Sequence, residues 1–89
     1  MRVVIVWREE SDYARQIIEW LHDCERRVGK APESFDPDEG DGISVCQAYD
    51  VVEYPTMLAI GDDGQVLQEW KGIEALPRID DVSYYLMEH

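Results

Sequence analysis

The chain opens on an unbroken apolar, β-branched run, Val3-Val4-Ile5-Val6-Trp7, the pattern of a strand buried on both faces and so of a central place in a sheet. From Ser11 the period lengthens. Ala14, Ile17, Ile18, Leu21, Cys24 and Val28 recur every three or four residues, while Ser11 followed by Asp12 offers an N-cap and a first-turn carboxylate. This spacing predicts an amphipathic helix over residues 11–28, closed by Gly29, with Arg15, Glu19, Asp23 and Arg26 on its wet side and Trp20 beside the apolar stripe.

Pro32, Pro37, Gly40 and Gly42 punctuate the next stretch, which admits a short second strand over residues 33–36. After Gly42, the repeat of Ile43, Cys46 and Tyr49 suits a helix of about two turns ending near Asp50. Two β-rich segments, residues 56–60 and 65–70, flank Gly61-Asp62-Asp63-Gly64, whose Asp-Gly step supplies the positive φ of a tight hairpin. Pro77 then opens a last helix carried by Ile79, Val82 and Leu86, with Tyr85 beside them and Asp80-Asp81 in its early turns.

At 89 residues the chain holds one core, and residues 1–89 are expected to form one domain. No apolar run approaches the ~20 residues of a membrane span, and Val3-Trp7 is short of the ~7–15 of a secretory leader, so a cytoplasmic protein is expected. The formal net charge of -12, from 20 carboxylates against 8 Lys and Arg, repels phosphate backbones and anionic lipids. That argues against nucleic acid and membrane as partners, and a partner chosen by charge would be cationic. Such a surface favours solubility and also suits a high-salt cytoplasm.

Cys24 and Cys46 stand apart, and adding His22 and His89 yields no recognisable zinc spacing. The acidic run from Asp36 to Gly42 fails the EF-hand series, since Gly40, Asp41 and Gln47 stand where an oxygen ligand, Gly and Glu are needed; it reads as a solvated turn. No metal and no cofactor are expected.

The order β, α, β, α, β-hairpin, α resembles the thioredoxin and glutaredoxin core, and the string Tyr49-Asp50-Val51-Val52-Glu53-Tyr54-Pro55-Thr56 resembles the Y-x-V-x-x-x-P-T element of thioredoxins. The resemblance covers nearly the whole chain. It implies a thioredoxin-like α/β fold with a four-stranded mixed sheet in order 2-1-3-4, the first and last helices on one face and the short helix on the other. It also implies a cis bond before Pro55.

In that family the redox cysteines sit at the junction of first strand and first helix, where a helix N-terminus stabilises a thiolate. Here the junction reads Trp7-Arg8-Glu9-Glu10-Ser11-Asp12-Tyr13-Ala14-Arg15. Aligned with C-P-Y-C-R, it places Ser11 and Ala14 at the two sulfur positions. Aligned through Trp7 with W-C-G-P-C, it places Arg8 and Ser11 there. Neither register leaves a dithiol, a serine hydroxyl cannot carry out thiol–disulfide exchange, and Ser11 reads as an N-cap. The resemblance places Cys24 and Cys46 on opposite faces of the sheet, beyond the ~7 Å between Cα atoms that a disulfide allows, and each reads as a small apolar core residue.

The leading expectation is a redox-inactive thioredoxin-like module that binds a protein or peptide and carries no catalytic residue. By resemblance its surface comprises Trp7, Arg8, Glu9, Glu10, Ser11, Tyr13, Ala14, Tyr54, Pro55 and Gly72. The alternatives are a divergent thiol oxidoreductase using Cys24 or Cys46, and an acidic decoy that covers a basic protein surface. Trp7 and Tyr49 are expected to be largely buried, and Glu9 and Glu10 exposed.

Overall fold

The first apolar run forms strand β1 (Arg2–Val6), buried from Val3 onward, because sheet neighbours flank it on both sides and helices cover both faces. Helix α1 (Ala14–Val28), β2 (Glu33–Phe35), α2 (Gly40–Tyr49), β3 (Thr56–Ile60), β4 (Val66–Lys71) and α3 (Ile79–Leu86) follow, with a 3-10 turn at Ile73–Ala75. The computed structural model describes residues 1–87; His89, weighed above as a metal ligand, lies outside the described residues.

The protein is α/β, with a mixed sheet in the order β2-β1-β3-β4. β1 runs parallel to β2 and antiparallel to β3, and β3 antiparallel to β4. Alternation along the two central strands sorts the core into two layers. Val3, Ile5, Trp7, Met57 and Ala59 pack with Ala14 and Ile17 of α1 and Val82 of α3. Val4, Val6, Leu58 and Ile60 point the other way, under Val45, Cys46 and Tyr49 of α2. Helices α1 and α3 thus share one face and α2 takes the other, as expected. Among the described residues no helix is long and apolar enough to cross a membrane.

Several local expectations are corrected. Helix α1 begins at Ala14 rather than Ser11, its N-cap residue Tyr13 gives no side-chain cap, and no acidic residue lies in its first turn. Residues 11–13 form a turn in which the Ser11 carbonyl accepts the Ala14 N–H at 3.3 Å. The Ser11 hydroxyl donates to the Arg8 carbonyl at 2.6 Å, a local bond that replaces capping. The buried stripe of α1 is also rotated. Ile18 is 42% exposed, whereas Trp20 packs against the core and its indole N–H donates to the Pro77 carbonyl at 2.9 Å. The segment leading into α3 covers that flank of α1.

Helix α2 begins at Gly40, so both glycines read as loop punctuation lie within it. Gly42 passes so close to the β2–α2 loop that a Cβ there would fall 1.7 Å from the Asp36 carbonyl oxygen. Ile43, counted in the apolar repeat of α2, is 41% exposed, and Tyr49 is half-buried rather than largely buried, because α2 is a lid laid over the edge of its core layer. Trp7 is buried, and Glu9 and Glu10 are exposed, as expected.

Candidate functional site

Sheet topology gathers one end of the molecule. The C-terminal ends of parallel β1 and β2, the start of antiparallel β3 and the end of β4 all fall on the same side, and the loops leaving them meet there. The β1–α1 loop brings Arg8 to Tyr13, the β2–α2 loop brings Asp36 and Asp38, the loop before β3 brings Tyr54 and Pro55, and Gly72 follows β4.

Arg8 is the hub. Its backbone N–H donates to the Tyr13 hydroxyl at 3.0 Å, and its carbonyl accepts from Ser11. Its guanidinium grips Asp38 with two prongs, Nε 3.2 Å from Oδ2 and Nη2 3.3 Å from Oδ1. The same group lies over the Tyr54 ring, with Cζ 4.9 Å from the centroid. One side chain therefore joins three loops. Both members of the ion pair remain open to water, at 48% and 67% side-chain exposure.

Tyr54 is the second junction. Burial first, then the neighbouring Cys46 and to a smaller extent Asp38, raise its hydroxyl pKa above the ordinary phenol value, with Arg8 opposing the shift. The Tyr54–Pro55 peptide bond is cis, as expected. Gly72 adopts φ 87° and donates its N–H to the Pro55 carbonyl at 2.7 Å, a conformation that glycine takes without a Cβ penalty.

The ten residues proposed from sequence therefore meet at one end but differ in role. Trp7, Ala14 and Pro55 are buried and shape the floor, while Ser11, Tyr13, Tyr54 and Gly72 are half-buried. Arg8, Glu9 and Glu10 reach solvent and line, with Asp36 and Asp38, an open cleft of about 400 Å³. Sequence reasoning missed Asp38 and Cys46 as members of this site. Asp38 lies in the acidic turn singled out as a possible cation loop, and Asp36 organises that turn by accepting the Asp38 N–H at 2.8 Å.

Cys24 lies elsewhere. It is fully buried on α1, donates to the Lys30 carbonyl at 3.4 Å, and has its pKa raised, first by burial and then by Glu25, against a smaller opposing effect of Arg27. A protonated, enclosed thiol is a poor nucleophile. A larger cavity, about 610 Å³, opens between Trp20 of α1 and the segment carrying Ile73, Leu76 and Ile79. Two of its cations pair with nearby carboxylates, Arg27 with Asp80 at 3.3 Å and Arg78 with Asp81 at 3.9 Å; the cluster around Arg8 differs in joining side chains from three loops. Comparison of the chain with protein-family models, with curated proteins and with solved structures found no match.

Proposed function

We propose that this is a redox-inactive, thioredoxin-like binding module of the cytoplasm, which takes a cationic peptide or protein segment at the loop end of its sheet. The observation that carries the reading is the strand–helix junction itself. Arg8, Ser11 and Ala14 stand where sulfur would be needed, and Arg8 lies in an open acidic cleft lined also by Glu9, Glu10, Asp36 and Asp38. The element order and the sheet order support the thioredoxin-like assignment. Carboxylates outnumber the one guanidinium in the cleft lining, so a visiting Lys or Arg gains Coulomb energy while an anion is repelled.

The test pairs binding with catalysis. Acetyl-Ala-Arg-Ala-Arg-Ala-amide titrated into the full chain should shift the backbone amide signals of the non-proline residues among 8–13, 36–39 and 53–56 in NMR spectra, and Glu9→Lys with Glu10→Lys should weaken binding several-fold. Insulin reduction should not exceed a no-enzyme control. Peptide shifts scattered over the surface, or none, would overturn the reading.

One observation favours a second reading: the Cys46 thiol, half-buried, neighbours Tyr54, and both pack on the core layer under α2. A divergent thiol enzyme would use Cys46 rather than enclosed Cys24. Insulin reduction above control that disappears with Cys46→Ser would establish that alternative in place of the binding module.

A further inference from the structure

A carboxylate facing an aromatic ring is the arrangement that receives an arginine side chain, because the planar guanidinium presents paired N–H donors to the carboxylate and its π-face to the ring. Asp38 and Tyr54 make such a cradle. They come from different loops, and the guanidinium between them belongs to the chain's own Arg8.

We infer that Arg8 is an internal occupant of an arginine-recognition subsite formed by Asp38 and Tyr54, and that an arginine of the bound partner displaces it. The inference rests on the reading of this end as a site for cationic segments and names the side chain recognised. Three features make displacement feasible. Both members of the Arg8–Asp38 pair are about half exposed or more, so water and a competitor reach them. Exposed ion pairs and exposed cation–π contacts are individually weak, so the internal guanidinium is loosely held. The β1–α1 loop is tied through the Arg8 backbone, to the Tyr13 and Ser11 hydroxyls, so the side chain can swing away while the loop stays in place.

Occupancy by Arg8 also sets a threshold. A partner arginine replaces one guanidinium by another, with little net gain at this subsite unless the rest of its segment adds contacts. Isolated arginines are thereby rejected in favour of arginines carried on a matching chain.

Removing the competitor tests this. Arg8→Ala keeps the backbone bonds of the loop, and Arg8→Gln serves as a second variant if the alanine variant does not give a native-like amide spectrum. Acetyl-Ala-Arg-Ala-Arg-Ala-amide should bind either variant about two- to five-fold more tightly than the parent protein, the gain expected from unmasking one weak exposed contact. Adding Asp38→Asn to Arg8→Ala should abolish the gain. The lysine version of the peptide should gain less, since a lysine lacks the planar fork. Unchanged or weaker binding by Arg8→Ala, or a gain that survives Asp38→Asn, would overturn the inference. The two proposals fail separately: loss of binding on charge reversal at Glu9 and Glu10 without any gain from Arg8→Ala retains the site and removes the displacement. A gain localised at Tyr54 that is indifferent to Glu9 and Glu10 retains the cradle and removes the wider acidic surface.

Discussion

Trp7 and Arg8 are neighbours with opposite fates, because β1 ends at Val6 and only Trp7 still follows its line. Trp7 extends the alternation of β1 into the α1–α3 layer, and its backbone N–H donates to the Phe35 carbonyl at 3.1 Å. Arg8 has no pleat to follow and turns out to Asp38. Trp7→Ala should therefore lower unfolding free energy by about 3–5 kcal/mol in urea denaturation, the cost of emptying a large buried aromatic site. Cys24 offers a residue-scale test of burial. In the native protein a thiol reagent should modify Cys46 readily and Cys24 only after urea is added, in line with their half-buried and buried environments. The raised Cys24 pKa also has a sign in stability. The folded state keeps the thiol protonated where the unfolded state releases the proton, so this contribution is intact below about pH 8.5 and is lost as pH rises above it. Cys24→Ala, compared with the parent protein between pH 8 and 10, should flatten that decline. Reactivity of both thiols at equal rates in the native state would contradict the observed burial.

At the scale of elements, apolar periodicity located each helix and strand but not its rotation or its first residue. Ile18 and Ile43 fit their repeats and yet face solvent, whereas Trp20, outside its stripe, is held by Pro77. A period shows that one face is apolar; which residues at the margin are covered depends on where the neighbouring element lies. Helix α1 starts at Ala14 rather than at Ser11 because a serine hydroxyl can bond a local carbonyl as readily as cap a helix. Helix α2 provides a paired test through its two glycines. Nothing lies within 4 Å of a Cβ built on Gly40, while at Gly42 the Asp36 backbone blocks it. Gly40→Ala should leave stability unchanged or raise it by up to about 1 kcal/mol. Gly42→Ala should lower it by about 1–3 kcal/mol or more, since backbone rather than a flexible side chain must move. Thermal melts of the two variants side by side would check the contrast, and equal melting temperatures would refute it.

Over the whole molecule, a net charge of -12 on 89 residues makes self-repulsion a standing cost of compactness. Raising NaCl from about 0.05 to about 1 M shortens the screening length to about 3 Å, so the urea midpoint should rise with salt while binding of cationic peptides weakens. Opposite responses of stability and affinity are the signature of this charge; a midpoint that falls with salt would point instead to ion pairs as net stabilisers. The sequence by itself determined the order of elements, the central place of β1, the hairpin and the absence of sulfur from the strand–helix junction, because these follow from local period, turn chemistry and residue identity. It also allowed the resemblance that suggested which loops to inspect. Only the tertiary structure decided that Asp38, 30 residues from Arg8, would grip it, that Tyr54 would lie beneath the same guanidinium, and that Cys46 rather than Cys24 would join them. Those meetings arise from the parallel pairing of β1 with β2 and the antiparallel pairing of β1 with β3, which bring distant loop ends to one edge, and no local pattern encodes which side chains then touch.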